Sequence, residues 1–276
     1  MSAGFKPRIL GIVCNWCCYG GADLCGVSRF QYPPYIRLIR VMCSGRVDLV
    51  HILMALSTGQ DAVFIGGCHL GDCHYITNGN YDALSMVTLC KQLLKHIGVN
   101  PVRLRLEWVS AGEGIRFANI MNDFGHEIEQ LGPLGKSEGM DRNEVKAKIA
   151  EITKLVPYIK MVYQDKLAAR LESSEEYDRL FEDDEIEKLL REMVSYYIDP
   201  EKCQACMTCA RRCPAEAIIS EKNQIHVIDQ EKCIKCGTCF EACPARFGSV
   251  RKISGEPVPR PIPEEARTIV RKRKED

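Results

Sequence analysis

Cys203-x-x-Cys206-x-x-Cys209-x-x-x-Cys213-Pro214 recurs thirty residues later as Cys233-x-x-Cys236-x-x-Cys239-x-x-x-Cys243-Pro244. An iron–sulfur cube needs four thiolates converging on one small volume. Three cysteines at intervals of three wrap a short loop around one cube, and the fourth of each run ligates the other cube. The spacing therefore assigns Cys203, Cys206, Cys209 and Cys243 to one [4Fe–4S] cluster. Cys233, Cys236, Cys239 and Cys213 take the second. The crossed pattern ties both halves into one small α+β domain. A disulfide framework is a poor competitor for a duplicated run of this spacing.

Each run is that of a bacterial-type ferredoxin. Around it lies a chain of 276 residues, enough for about two domains. Apolar and charged fractions are those of ordinary soluble protein, and the formal net charge is zero. Neither nucleic acid nor a membrane is expected as partner, and no apolar run is long enough to cross a bilayer. Residues Met1 to Pro7 lack the apolar core of a secretory signal. The sixteen cysteines are thus expected in the cytoplasm, where thiols stay reduced and serve metal or redox chemistry. Eight lie between Cys14 and Cys90 and eight between Cys203 and Cys243, and the gap marks a domain boundary.

The first block reads as a parallel sheet. Arg8 to Val13, Tyr35 to Met42 and Ala62 to Ile65 are strand-like, and Val102 to Trp108 alternates as a fourth strand at an edge. Helical patterns fall between them. They run over Val47 to Ser57, along Leu84, Val87, Cys90, Leu94 and Ile97 with Gly98 as cap, and over Ile115 to Leu131. Alternation of this kind predicts βαβ units, whose strands share one carboxyl edge where ligands bind.

Cys14, Cys43 and Cys68 each end a predicted strand, with Cys17 and Cys73 close behind, so five thiols meet on one rim. A flavin phosphate needs small hydroxyl and glycine residues in the first loop. The loop Cys14 to Gly21 is instead rich in sulfur, so no flavin is expected on this chain. Four thiolates suit a [2Fe–2S] centre or zinc, and spacing alone does not separate the two. Cys90 reads as a core residue, Cys18 points away if Cys17 faces the metal, and Cys25 lies in a loop. His69 and His74 each follow a rim cysteine and read as hydrogen-bonding groups rather than ligands.

Five spaced motifs carry a resemblance. They are Cys14-Asn15-Trp16-Cys17, Tyr19-Gly20-Gly21-Ala22-Asp23, Gln31-Tyr32-Pro33-Pro34, Cys43-Ser44-Gly45-Arg46-Val47-Asp48 and Gly66-Gly67-Cys68-His69-Leu70-Gly71-Asp72-Cys73-His74-Tyr75. From about Arg8 to Leu134 the chain resembles the delta subunit of methyl-viologen-reducing hydrogenase. The resemblance implies a flavodoxin-like domain holding one [2Fe–2S] cluster by four of Cys14, Cys17, Cys43, Cys68 and Cys73. It further implies electron relay between a hydrogenase, or a formate dehydrogenase, and a heterodisulfide-reductase-A-like flavoprotein in flavin-based electron bifurcation. The chain departs from that family by its extension. Tyr196 to Phe247 is similar to the ferredoxin module of NADH-dehydrogenase-like flavoprotein subunits, which widens the range of donors.

The expected organisation is a flavodoxin-like domain over 1–135, a helical linker over 136–197, a dicluster domain over 198–250 and a Pro-rich, basic tail over 251–276. In the linker, Asp141 starts a helix that ends near Pro157, Ile159 to Leu171 continue helically, and Ile186 to Met193 mark another helix. The acidic run Glu182 to Glu187 reads as a solvated helix start. Pro257, Pro259, Pro261 and Pro263 favour an extended strap or a mobile tail, and Arg271 to Lys274 are basic. Two other functions compete with electron relay. One is a thiol–disulfide reductase using the Cys14–Cys17 pair, fed by its own dicluster domain. The other is a metal-stabilised scaffold.

Overall fold

The computed structural model describes residues 5–171, 173–182, 184–254 and 256–269. The basic end Arg271 to Lys274 lies outside them. The chain divides into two compact units, Met1–Ile186 and Glu187–Asp276.

The first unit is built on a four-stranded parallel sheet of order β2-β1-β3-β4, from β1 (Ile9–Cys14), β2 (Ile36–Val41), β3 (Ala62–Gly67) and β4 (Leu104–Trp108). Every residue of β3 is buried, as a strand covered on both faces must be. The order is that of a flavodoxin-like sheet. As expected, β4 is an edge strand, but Pro101–Arg103 form a tight helical turn before it rather than its first residues. Pro101 has no N–H to give a ladder, and Asn100 caps the turn by accepting from Val102 N at 3.0 Å.

Helices α1 (Cys18–Val27) and α4 (Gly114–Leu131) pack on each other. Phe117, Met121, Phe124 and Ile128 of α4 join Ile9, Val13 and Phe64 of the sheet in one core. Helix α1 corrects the reading of the segment after Cys14 as a loop, and places Cys25 within a helix. Three glycines hide this helix from propensity, and the close approach needs two of them, Gly20 and Gly21. A Cβ on Gly21 would stand 2.9 Å from Ser110 O, and one on Gly114 only 2.8 Å from Cys25 N. Helices α2 (Leu49–Ser57) and α3 (Asn80–His96) also pack together. Asp48 caps α2, accepting from Val50 N while its own N–H reaches His51 Nδ1 at 3.1 Å.

The middle of the chain belongs to this unit. Helix α5 (Arg142–Val162) packs on α2, while α6 (Gln164–Leu167) and α7 (Ser174–Asp178) lie against α3. Asp141 caps α5 through Asn143 N and Glu144 N, as its place in the sequence predicts. The helix does not end at Pro157 but runs through it. Val156 and Ile159 flank the proline and are buried, and their burial outweighs one lost backbone bond. Glu185 is not merely solvated, since Lys166 Nζ reaches its carboxylate at 2.7 Å. No helix among the described residues is long and apolar enough to cross a membrane.

Helix α8 (Glu185–Arg191) leads into the second unit. There β5 (Ser195–Ile198) pairs antiparallel with β8 (Val250–Ile253), and β6 (Ile218–Ile219) with β7 (Val227–Ile228). Helices α9 (Thr208–Arg212) and α10 (Thr238–Ala242) pack on each other, each rising from a cysteine run. The proline-rich tail is a strap on its own unit. Ile225 N donates to Arg267 O at 2.7 Å, and Ile269 N to Asn223 O at 2.9 Å.

Candidate metal centres

Parallel strands bring their carboxyl ends to one edge. Cys14 closes β1, Cys68 follows β3, and Cys43 lies just past β2. β1 and β3 are neighbours in the sheet although β2 separates them in the chain, so their shared edge is the topological switch point. Cys14 Sγ and Cys68 Sγ stand 3.7 Å apart there. Cys17 lies close enough to Cys68, Cys14 and Cys73, and Cys43 close enough to Cys73 and Cys14, for each to feel the others' charge. All five rim thiols singled out from the sequence are thus brought together.

Their proton affinities show the crowding. The hydrogen bond shared with Cys68 holds the Cys14 thiol well below the ordinary cysteine range and pushes Cys68 well above it. Burial pushes Cys43 up to about 11, with help from the charges of Cys73 and Cys14. Cys17 is raised by burial as well. Such a set is costly to ionise alone and suits a cation that takes up the charge.

The surroundings are shaped to the thiols. Gly79 has φ +57°, and a Cβ there would lie 2.3 Å from Cys73 Sγ. Asn80 is buried and donates to Cys68 O at 2.9 Å and His69 O at 2.7 Å, fixing the loop between the two cysteines. The Ser44 hydroxyl, beside Cys43, is buried without a partner among the described residues. No group of three His, Cys, Asp or Glu side chains among the described residues closes tightly enough on one metal ion. In a [2Fe–2S] centre two thiolates bind each iron, so its four thiolates do not close on one metal ion.

The remaining candidates are placed elsewhere. Cys18 points under the sheet edge, where a Cβ on Gly66 would lie 2.2 Å from its Sγ. Cys25 gives its thiol to Phe30 O, and Cys90 is wholly buried in α3. His69 Nε2 pairs with Glu113 Oε2 at 2.7 Å. His74 stacks on Trp16 with centroids 4.2 Å apart.

In the second unit the two runs adopt matching loops. Ala205 and Lys235 have φ +49° and +58°, and Met207 and Gly237 have +63° and +81°. Three of these four are not glycine, so the left-handed backbone is strain held at a site. Repeated left-handed turns aim backbone N–H groups inward and make an anion-binding nest, which suits a thiolate-bound cluster. Lys235 N lies 3.4 Å from Cys233 Sγ, and Ala217 N lies 3.3 Å from Cys213 Sγ. Burial pushes Cys209 up to about 11, and the charges of Cys203, Cys206 and Cys243 add to it. Cys233 is raised by burial and by Cys236 and Cys213. Cys209 thus feels Cys243 of the other run, and Cys233 feels Cys213. Two groups escaped the sequence reading, His226 with Nδ1 3.3 Å from Cys209 Sγ and Ser249 with Oγ 3.3 Å from Cys243 Sγ. Setting the halves side by side thirty residues apart exposes both.

Fold and thiol sets define an iron–sulfur electron-transfer protein in two parts, a thiol-rimmed parallel sheet and a dicluster domain. Residues 9–132 match the family described as methyl-viologen-reducing hydrogenase, delta subunit, and residues 195–244 match the 4Fe-4S dicluster domain. The chain belongs to that delta-subunit family. It is 50% identical over 134 residues to the iron-sulfur D-type subunit of F420-non-reducing hydrogenase from Archaeoglobus profundus, which covers 49% of this chain and 97% of the relative. The corresponding vhc iron-sulfur protein of F420-non-reducing hydrogenase from Methanococcus voltae is 50% identical over 138 residues, 50% of this chain and 95% of its own. The A-type subunit of ferredoxin/F(420)H(2)-dependent CoB-CoM heterodisulfide reductase from Methanosarcina acetivorans is 49% identical over 129 residues, 47% of this chain but 16% of the relative.

Proposed function

We propose that the chain relays electrons through one [2Fe–2S] and two [4Fe–4S] clusters, between a donor module and a heterodisulfide-reductase-A-like flavoprotein. The donor is a hydrogenase, a formate dehydrogenase or another oxidoreductase, and the assembly performs flavin-based electron bifurcation. The observation that carries the reading is the meeting of Cys14, Cys17, Cys43, Cys68 and Cys73 at the switch point of the sheet. In its relatives this domain is a separate hydrogenase protein in one case and about a sixth of a heterodisulfide reductase polypeptide in another. A domain found on both sides of such a junction suits a carrier between them.

In this reading four of the five rim cysteines hold the [2Fe–2S] centre. Cys203, Cys206, Cys209 and Cys243 hold one cube, and Cys233, Cys236, Cys239 and Cys213 the other. Bound clusters supply single-electron exchange. The chain's own groups keep water away and place a docking face beside the thiols. Trp16, Met42, Tyr75 and Ile76 are exposed around the buried rim cysteines, as an apolar contact for a partner requires. The disulfide-reductase alternative is weaker, since Cys14 is buried and burial raises Cys17. Abundant cysteine at metal-ligand spacing supports a cytoplasmic setting for the chain.

Iron and sulfide analysis of the anaerobically purified chain is expected to give about ten irons. Zinc in the sheet unit would remove the [2Fe–2S] assignment. Purification from the native source is expected to bring down a flavoprotein of the heterodisulfide-reductase-A-like type, and its absence from a complex that retains the donor would sink the acceptor assignment.

A further inference from the structure

The halves of the small unit superpose in sequence by a shift of thirty residues, which sets Tyr196 against His226 ahead of the two runs. Each of these side chains lies on the opposite run. Tyr196 rests on Gly237, its hydroxyl 2.8 Å from where a Cβ would stand. His226 rests on the first run, with Nδ1 3.3 Å from Cys209 Sγ. The repeat breaks again six residues past each run, where Ile219 stands in one half and Ser249 in the other. Ser249 Oγ lies 3.3 Å from Cys243 Sγ. His226 and Ser249 are both buried, and both face cysteines of one ligand set, that of Cys203, Cys206, Cys209 and Cys243.

We propose that His226, assisted by Ser249, makes the cube of that set the higher-potential member of the pair, so that an electron on the dicluster unit rests there. The inference rests on the reading of the two runs as ligands of two cubes. A sulfur that binds iron has no proton to give, so imidazole and hydroxyl are the donors. Reduction places more negative charge on the cube and its sulfurs. A donor aimed at sulfur therefore stabilises the reduced form more than the oxidised one and raises the potential. The other set has donors too, Lys235 N on Cys233 and Ala217 N on Cys213, while Thr208 beside Cys206 and Thr238 beside Cys236 match. What sets the first apart is the buried imidazole, for a cation stands near each set. Arg246 acts on Cys206, and Lys235 stands beside Cys233.

The far side of the imidazole tells how the bond is kept. Nε2 is buried without a partner among the described residues. His226 borders a cavity of about 20 Å³ walled by Tyr197, Gln230 and, from the tail, Pro259, Pro261 and Ile262. That volume has room for one water. The proline strap thus closes the site against bulk solvent, and a hydrogen bond to charged sulfur is stronger in the low dielectric it preserves.

Redox titration of the full chain, followed by electron paramagnetic resonance, tests this. Two distinct potentials are expected for the cubes. His226→Phe is expected to lower only the higher one, changing its reduced-to-oxidised ratio at a fixed potential about tenfold, roughly 59 mV for one electron. His226→Asn, which keeps an N–H near the place of Nδ1, is expected to keep most of the native value. In the native chain labelled with nitrogen-15 histidine, electron–nuclear double resonance is expected to show nitrogen coupling to one cube alone. Should the Phe variant not assemble, this native-chain measurement decides. Equal native potentials, a fall in the lower potential, no shift at all, or no histidine coupling each overturn the role of His226. Absence of any [4Fe–4S] signal from the native chain overturns the ligand reading itself, and the inference with it.

Discussion

Arg103 shows how a single residue secures the edge of the sheet opposite the thiols. It is wholly buried in the turn just before β4. Its guanidinium donates to Asp61 O, Gly132 O and Pro133 O, each at 3.1 Å, and to Glu138 Oε1 at 2.6 Å. A fork of five donors satisfied this fully suits arginine alone. Arg103→Leu leaves the Glu138 carboxylate buried without its counterion and is expected to cost about 3–5 kcal/mol. The denaturant midpoint of the sheet unit is expected to fall, while the reduction potential of the centre proposed at the far edge does not move. Gly79 works at the thiol edge. Gly79→Ala drives a methyl into Cys73 Sγ and Tyr75 O. Iron is expected to drop from about ten to about eight per chain, the two cubes surviving. An unchanged iron count and spectrum would show that Cys73 is not a ligand.

Among elements, α5 carries the sharpest question, because its apolar stripe reads from sequence as a linker helix with no stated place to bury it. Val145, Ile149, Ile152, Val156 and Ile159 are all buried, and the helix packs on α2. Ile149→Ala is expected to cost about 2–4 kcal/mol of the sheet unit's own stability. A linker helix would leave the unfolding midpoint of that unit where it was. The strands were legible because β1 and β3 are short apolar runs, the pattern of strands covered on both faces. Helix α1 was not legible. Gly20, Gly21 and Gly26 lower its propensity, and the helix is held by tertiary packing, with Gly114 of α4 close against its backbone. The thiol set was half legible. Strand ends placed Cys14, Cys43 and Cys68 on one rim, but the approach of Cys17 and Cys73 to them arises in loops without a period. Of the second unit, the ligand runs were plain from chemistry. The partners His226 and Ser249 were not, because a single histidine or serine carries no spacing signal.

At the scale of the whole molecule the two units differ in what holds them. The sheet unit has an apolar core of its own, with Phe64, Phe117, Phe124, Leu49, Ile52 and Leu53 fully buried. The small unit has strands of two to four residues and five-residue helices around its runs. Its core is Tyr196, Ile198, Ile218, Ile228 and Val250, completed by Cys203, Cys209 and Cys239. A core that small does not offset the chain entropy of its fold without a staple. The left-handed Ala205, Met207 and Lys235 add about 1–3 kcal/mol of strain each. Metal binding then supplies the folding free energy, as in other small metal-dependent domains. Stripping iron with a chelator under reducing, anaerobic conditions is therefore expected to open the small unit and spare the sheet unit. Limited proteolysis should cut between Glu187 and the C-terminus while a fragment ending near Ile186 resists. The same treatment should leave most of the helical circular dichroism signal, since the long helices α3, α4 and α5 belong to the sheet unit. If the stripped chain loses both units together, the sheet depends on its own centre for stability. If the small unit stays protease-resistant without iron, its fold is not metal-driven and the strain in its loops is borne by packing alone.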